Sequence, residues 1–181
     1  MPTKQTTRLP IVGVMGSGIE PHRERAEPLG AWLAGQKVHL LTGGGGGVME
    51  AVSRAFYRVR PRQGLVIAII PGADSGTGYA PKAGYPNPWV ELPIFTHLPL
   101  SGRQGIDPMS RNHINILSSD VLIALPGSAG TASEVALALH YGRPLVAYLS
   151  QREEIEGLPA GAVVEPDFER VKAFVLAKLS R

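Results

Sequence analysis

The sequence contains no cysteine among its 181 residues. This absence excludes disulfide bonds, thiolate nucleophiles and zinc sites with cysteine ligands. Charged residues make up only 18% of the chain, and no apolar run approaches the roughly 20 residues of a membrane-spanning helix. The polar segment 1–10 lacks the apolar centre of a signal peptide. We therefore expect a cytoplasmic protein with no membrane partner, built as a single domain over 1–181 with a flexible segment 1–9.

Basic residues outnumber acidic residues only slightly, and the net charge is +3. They form one visible cluster, at Arg54, Arg58, Arg60 and Arg62, where the C-terminus of a predicted helix favours cations. A nucleic-acid surface would need more basic residues with interleaved aromatic side chains, and only Tyr57 is near. We therefore expect no nucleic-acid partner. The histidines show no metal-ligand spacing, so no metal held by the protein is expected at His22, His39, His97, His113 or His140.

Short apolar runs alternate with amphipathic stretches along most of the chain. Fully apolar runs of this length are typical of strands buried on both faces, as in parallel sheets. The predicted strands are 11–15, 38–41, 65–70, 121–125 and 145–149, with a further one within 89–97. The predicted helices are 21–35, 48–59, 108–118, 131–141 and 167–179, the last with Asp167 as its N-cap. The pattern predicts a three-layer α/β sandwich, Rossmann-like, with a mostly parallel sheet.

Two glycine-rich turns each follow an apolar strand and open a helix. The first is the five-glycine run 43–47, and the second is Pro-Gly-Ser-Ala-Gly-Thr at 126–131. At such junctions free backbone amides and the helix N-terminus, with about +0.5 of an elementary charge, converge on an anion. A third turn follows the first strand. The candidate ligand-binding residues of the three turns are Gly16, Ser17, Gly18, Gly43, Gly44, Gly45, Gly46, Gly47, Pro126, Gly127, Ser128, Ala129, Gly130 and Thr131.

Neither glycine turn matches a common nucleotide-binding or hydrolase motif. The dinucleotide fingerprint G-x-G-x-x-G fails because its third glycine falls on Val48 or Met49, so no NAD is expected. The P-loop motif and the G-x-S-x-G nucleophile elbow are also absent. Five consecutive glycines exceed what a tight turn needs and cost unfolded-chain entropy. The run therefore favours close approach of the backbone to a ligand.

Side chains of opposite charge accompany the turns. Arg111, which precedes Asn112 near the start of a predicted helix, could clamp a phosphate or pair with a surface acid. Glu134 is the carboxylate at the mouth of a glycine turn, and we expect the helix N-terminus to keep it ionised. The segments 17–20 and 131–134 both have the capping-box pattern, so helix capping is an alternative to ligand contact.

Two long loops break the alternation of strands and helices. The segment 72–88 is rich in Gly and Pro and too long for an ordinary connection, so it is either a lid or a binding loop. The segment 98–107 is a second polar loop. Because ligands of such sheets bind beyond the carboxyl ends of the strands, we expect both loops and both glycine turns to meet there.

The glycine turn 43–49 and the segment 126–134 together resemble the signatures of the Lonely Guy-like superfamily, also described as lysine decarboxylase-like. Its signature is P-G-G-x-G-T-x-x-E, preceded by an arginine-containing helix and an earlier glycine-rich turn. The likeness spans 11–149. It implies a Rossmann-like fold and assembly into a homodimer or homotetramer.

Two branches of this superfamily imply different functions. One contains phosphoribohydrolases, which cleave the N-glycosidic bond of cytokinin or purine nucleoside 5′-monophosphates and whose motif arginine and glutamate, here Arg111 and Glu134, are catalytic. The other contains molybdenum cofactor carrier proteins, which hold the phosphorylated pterin without turnover. The chain departs from the hydrolase pattern at Asn112 and Ser128. The segment 87–97 looks closer to the carrier branch.

The resemblance thus implies a storage or carrier protein that binds molybdenum cofactor, with molybdoenzymes or cofactor-insertion proteins as further partners. The alternative is a phosphoribohydrolase with Arg111 and Glu134 as catalytic residues and also as ligand contacts, beside Asn112. A third hypothesis is a nucleotide sensor that neither carries nor cleaves its ligand. All three share a small phosphorylated ligand and differ in what happens to it.

Overall fold

The computed structural model describes residues 8–73 and 78–180. In these residues the strands are β1 (Ile11–Met15), β2 (His39–Thr42), β3 (Val66–Ile70), β4 (Leu92–Phe95), β5 (Val121–Ala124) and β6 (Leu145–Ala147). The helices are α1 (Arg23–Ala34), α2 (Val48–Arg58), α3 (Asn112–Ser118), α4 (Ala129–His140) and α5 (Phe168–Leu179). Short 3-10 turns lie at Gly102–Gln104 and Arg152–Glu154.

The strands form one sheet in the order β4-β3-β2-β1-β5-β6, and each adjacent pair is parallel. Two layers of helices cover it. Helices α1, α2 and α5 share a buried apolar cluster with Val12 and Leu40 of the sheet. Helices α3 and α4 share another cluster with Met15 and Leu122 on the opposite face. The three-layer Rossmann-like sandwich is confirmed, with a sheet that is parallel in every described pair.

The predicted strands lie within two residues of observed ones, and the segment 89–97 contains β4. The prediction for 108–118 was too long, because α3 begins only at Asn112. The preceding residues form a turn around Asp107, which accepts hydrogen bonds from the amides of Met109 and Ser110 at 2.8 Å. At the other end of the chain Asp167 caps α5 as predicted, accepting from the Arg170 amide at 3.1 Å.

Neither capping-box pattern caps a helix. The Ser17 hydroxyl accepts hydrogen bonds from the amides of Ile19 and Glu20, at 3.2 and 2.9 Å, within a local turn. No helix starts there, since α1 begins at Arg23. The Thr131 pattern fails for a different reason.

Helix α4 begins two residues earlier than predicted, at Ala129, with Ser128 in the N-cap position. Thr131 is therefore the third residue of the helix, and its buried hydroxyl lies against Gly127 instead of capping. The sequence pattern alone does not distinguish these positions, because both are compatible with a first helical turn.

The strand order determines where the glycine turns lie. From β1 the chain builds the sheet outward through β2, β3 and β4, and then returns to the other side of β1 with β5 and β6. The C-terminal ends of β2, β1 and β5 are consequently neighbours at one edge, at the point where such folds bind ligands. No helix within 8–73 or 78–180 is long and apolar enough to cross a membrane.

Candidate functional site

The turns that follow β1, β2 and β5 meet at this edge of the sheet. The Ser17 amide donates to the Pro126 carbonyl and the Ser17 carbonyl accepts from the Val48 amide, each at 2.9 Å. A Cβ atom at Gly127 would lie 3.0 Å from the Ser17 nitrogen, and one at Gly47 would overlap the Ser17 carbonyl. Ser17 therefore joins the two glycine turns, which is the convergence that the sequence predicted.

The turn before α4 presents free backbone amides. The amides of residues 129–131 open the helix and have no carbonyl partner within it. The Gly127 amide is already used, since it donates to the Glu154 carbonyl at 3.0 Å. A Cβ at Gly127 would overlap the Thr131 hydroxyl, which explains why glycine stands there. This turn can therefore receive an anion on its helical amides but not on Gly127.

The turn after β2 is packed from several sides. Gly44 has φ +78°, and a Cβ there would lie 2.6 Å from the Ile70 side chain. Asn87 fastens the turn, because its amide donates to the Gly44 carbonyl at 2.7 Å and its side chain donates to the Gly45 carbonyl at 2.9 Å. A Cβ at Gly45 would lie 2.8 Å from the Tyr85 hydroxyl oxygen. The close backbone approach predicted for this turn thus involves protein side chains.

Tyr85 and Asn87 belong to the predicted loop 72–88, part of which, 74–77, lies outside the described residues. Sequence reasoning did not select either residue. No local pattern marks them, because their contacts with the glycine turn join positions about 40 residues apart in the chain. The end of this loop is a fixed wall of the site.

Arg111 is the buried cation of the site. It is only 4% exposed, and its guanidinium fills the space where a Cβ of Gly43 would project. Its Nε and Nη1 atoms are buried without a hydrogen-bond partner, and the Tyr85 ring lies 5.9 Å from its Cζ. Arg111 takes part in none of the ion pairs of residues 8–73 and 78–180, so it does not pair with a surface acid there. A buried guanidinium with two unpaired donor atoms can receive an anion.

Glu134 lines a cavity of about 10 Å³ together with Gly43 and Asn115, which is room for about one water molecule. The residue as a whole is half-buried, yet burial raises the pKa of its carboxyl to about 7, against the charge of Arg111 and a hydrogen bond from Asn115. The expectation that the helix N-terminus keeps Glu134 ionised is therefore met only in part, because a pKa of about 7 leaves the carboxyl about half protonated at neutral pH. Because α4 begins at Ala129, Glu134 lies in the second turn of the helix, where the favourable terminal charge has faded.

The remaining predicted residues lie around the same edge. Gly16 lies against Val48, and Gly18 lies near Met49. Gly130 lies against Gly102, and Asn112 lies against Gly105. Ser128 is exposed. Asn112 thus contacts the polar loop 98–107, which also lies against Gly130 through Gly102. Within the described part of the chain no group of three or more His, Cys, Asp or Glu residues could hold a metal ion.

The fold is similar to that of solved molybdenum cofactor proteins. A Moco carrier protein from Chlamydomonas reinhardtii is 32% identical, with a TM-score of 0.71 over 96% of this chain and 99% of that one. The molybdenum cofactor binding protein of the phototrophic bacterium Rippkaea orientalis is 30% identical, with a TM-score of 0.56 over 96% of this chain and 86% of that one.

The same architecture occurs in a protein with a different ligand. DNA processing protein A from Helicobacter pylori, described by its single-stranded DNA binding mode, is 20% identical, with a TM-score of 0.66 over 94% of this chain and 81% of that one. At this identity the likeness concerns the fold alone. A family model matches residues 9–164, which include all six strands and both glycine turns, and the chain belongs to the SLOG cluster4 family.

Proposed function

We propose that this protein binds a phosphorylated pterin, the molybdenum cofactor, and acts as its cytoplasmic storage or carrier protein. The observation that carries the proposal is the buried guanidinium of Arg111, whose Nε and Nη1 have no partner although it lies against a glycine turn. Burying a charge without acceptors is costly. An anionic ligand at this edge would supply the missing acceptors and remove that cost.

The magnitude of binding requires several of these contacts together. One anion at one helix N-terminus gains about 0.3–2 kcal/mol, whereas a micromolar dissociation constant corresponds to roughly 8 kcal/mol. The helical amides of 129–131 alone would therefore hold a ligand too weakly for a carrier. Arg111 and the loop that carries Tyr85 would have to contribute the remainder.

The comparisons support the identity of the ligand. The two solved structures at 30% and 32% identity are named for binding or carrying molybdenum cofactor, and each match covers 96% of this chain. The resemblance to such carriers further supports assembly into a homodimer or homotetramer, with molybdoenzymes or insertion proteins as recipients. We propose no nucleic-acid partner, since the DNA-binding neighbour is only 20% identical.

A phosphoribohydrolase is the second candidate, and one observation favours it. The pKa of Glu134 is raised to about 7 beside Arg111, which suits a group that gives or takes a proton near neutral pH. Such an enzyme would release a free base and ribose 5-phosphate from a nucleoside 5′-monophosphate. The solved neighbours named as carriers favour binding without turnover.

Calorimetry and a turnover assay on one ligand panel separate these functions. The panel contains molybdenum cofactor under anaerobic conditions, adenosine monophosphate and a cytokinin ribotide. The carrier proposal expects tight binding of the cofactor alone and no release of free base. Release of base that disappears in Glu134→Gln would establish the hydrolase instead, and binding of nucleotides without cleavage would indicate a sensor.

A further inference from the structure

The end of the molecule opposite the glycine turns is rich in basic residues. All strands begin at this end, and the helices that join parallel strands return to it and end there. Several cations at this end form no ion pair with a carboxylate within residues 8–73 and 78–180. We name them the basic edge: Lys37, Arg58, Arg60, Arg143 and Lys178.

The acidic residues that immediately precede a strand at this end, Asp120 and Glu91, are already engaged. The two carboxylate oxygens of Asp120 accept from the Nη atoms of Arg8, at 2.7 and 2.8 Å. Glu91 accepts from Arg62 Nη2 at 2.6 Å and from the Val66 amide at 2.9 Å. Both carboxylates are thus held by other cations, and the charge of the basic edge remains uncompensated by them.

Helix capping explains part of this pattern, because a helix C-terminus favours nearby cations. Arg60 donates to the carbonyls of Tyr57 and Val59 at the end of α2, and Arg143 donates to the Leu117 carbonyl of α3 at 2.7 Å. A helix end carries only about −0.5 of an elementary charge. Each capped arginine therefore still presents positive charge to a partner, and the capping contact holds it in place.

Two arginines of the basic edge also lie on aromatic rings. The Cζ atom of Arg58 is 5.2 Å from the centre of the Trp89 ring, and that of Arg60 is 4.7 Å from the centre of the Tyr57 ring. Both arginines are nevertheless exposed. A guanidinium that lies on a ring keeps N–H groups at its edge free for acceptors and has less freedom to lose on binding. We name Arg58, Arg60, Tyr57 and Trp89 the arginine corner.

The basic edge is too long for one small anion. Arg60 lies near the start of β3 and Arg143 near the start of β6, and β2, β1 and β5 lie between these strands. Because neighbouring strands are about 4.8 Å apart, the two arginines are separated by roughly 19 Å. An extended chain of about six residues covers this distance. The edge therefore has the length of a peptide segment.

The arginine corner suits carboxylates better than nucleic-acid bases. The Tyr57 and Trp89 rings lie against each other, with centres 5.7 Å apart, and each also lies against an arginine. Binding of a single nucleic-acid strand depends strongly on the stacking of bases on free aromatic faces. These rings are already engaged, whereas the guanidinium groups retain donors that match a carboxylate.

We infer that the basic edge is a docking surface for an extended acidic segment of a partner protein, with the arginine corner as its most ordered part. The surface lies at the opposite end of the strands from the glycine turns. A docked partner therefore leaves the edge with the glycine turns open. The inference goes beyond the proposed function and does not depend on the identity of the ligand.

The probe is a hexaglutamate peptide with neutral ends, titrated by calorimetry into the full chain at low ionic strength, where exposed charges are least screened. The double variant Arg58→Gln, Arg60→Gln removes the charges of the arginine corner. The matched control, Arg23→Gln, Arg170→Gln, removes the same charge from exposed residues in the first turns of α1 and α5, at the opposite end. The corner variant should weaken peptide binding about fivefold or more, and the control less than about twofold.

A second measurement uses the unaltered protein and does not depend on the folding of a variant. The chain has two tryptophans, and Trp32 packs against Phe168, away from the arginine corner. In a nuclear magnetic resonance titration, the hexaglutamate peptide should shift the indole N–H signal of Trp89 and leave that of Trp32 in place.

Equal weakening by the corner variant and by the control would overturn the inference, because net charge alone would then explain the binding. No binding of the peptide at low ionic strength, or an unchanged Trp89 signal on binding, would also overturn it. Tighter binding of an oligothymidine with the same number of negative charges would indicate a nucleic-acid surface instead.

Discussion

At the scale of single residues, two buried ionisable groups define the chemistry of the site. The Nε and Nη1 atoms of Arg111 have no hydrogen-bond partner, and the pKa of Glu134 is raised to about 7. The sequence could select both residues, because their positions match the motif of a known superfamily. It could not show their protonation or pairing, since both depend on burial by residues distant in the chain.

The raised pKa of Glu134 makes stability depend on pH. Its carboxyl titrates near 4.5 when unfolded and near 7 when folded, so its stabilising contribution is complete below about pH 4.5 and is lost as the pH rises through 7. Between pH 5 and 8 the free energy of unfolding of the native protein should fall by about 2 kcal/mol relative to Glu134→Gln. Urea unfolding at both pH values measures this difference.

Glu153→Gln, an exposed residue of the 3-10 turn at 152–154, is the control for that experiment and should follow the native protein at both pH values. A constant difference between the native protein and Glu134→Gln from pH 5 to 8 would show that the carboxyl has an ordinary pKa.

Arg111→Met should leave folding intact and weaken ligand binding. At pH 6, where the Glu134 carboxyl is largely protonated, replacing an unpaired buried charge by an apolar side chain should raise the free energy of unfolding by about 1–3 kcal/mol. Chemical denaturation of the native protein and of Arg111→Met measures this difference in the free energy of unfolding. Arg25→Met is the matched contrast, because Arg25 donates to both Glu154 carboxylate oxygens at 3.0 and 2.9 Å. That variant should lose stability, and a larger loss in Arg111→Met would contradict this account.

At the scale of elements, the local sequence predicts most strands and helices but not how loops meet them. Apolar runs predict β1, β2, β3, β5 and β6 because burial on both faces leaves a pattern in consecutive residues, whereas the edge strand β4 is largely exposed. The loop that ends at Asn87 carries no such pattern, yet it binds the turn at Gly44 and Gly45. The capping-box pattern at Ser17 fails for a similar reason. The Ser17 amide donates to the Pro126 carbonyl, a residue distant in the chain, and no local pattern records this contact.

Asn87→Ala should detach the loop from the glycine turn. Asn87 is 5% exposed, and its side chain both donates to the Gly45 carbonyl and accepts from the Trp89 amide at 3.1 Å. Losing these buried hydrogen bonds should cost about 1–3 kcal/mol of stability. Hydrogen exchange should show the loss of protection concentrated at residues 85–90 and 43–47.

Asn87→Asp is the discriminating companion, since it keeps the oxygen that accepts from Trp89 and replaces the donor to Gly45 by a carboxylate oxygen that repels the Gly45 carbonyl. Amide protection from hydrogen exchange should then persist near Trp89 and decrease at the glycine turn 43–47. Unchanged exchange at the glycine turn in both variants would mean that the loop does not hold it.

At the scale of the whole molecule, the order of parallel strands brings separate segments into one site. The sequence predicts strands and turns, but the neighbours of β1 follow from packing that no local pattern records. The sheet also has an apolar edge at β4. Leu92, Ile94 and Phe95 of this strand are 45%, 43% and 51% exposed. Exposed apolar edge strands tend to be covered by another chain.

This exposed edge agrees with the proposed homo-oligomer. Light scattering coupled to gel filtration should give two or four times the chain mass of 19.2 kDa. Ile94→Lys, on the same strand, should lower the mass if β4 lies in the interface, as charged residues on edge strands oppose pairing. A mass of one chain for the unaltered protein would contradict the assembly.

Retention of molybdenum cofactor through anaerobic gel filtration tests whether this edge of the sheet binds the cofactor. We expect molybdenum and pterin fluorescence to co-elute with the unaltered protein and with Arg58→Met. Both signals should be largely lost from Arg111→Met and from Ser128→Asp, which places a negative charge at the N-cap of α4. Elution of the unaltered protein without molybdenum or pterin, or full retention by Arg111→Met, would contradict the claim that this edge of the sheet is a binding site for the cofactor.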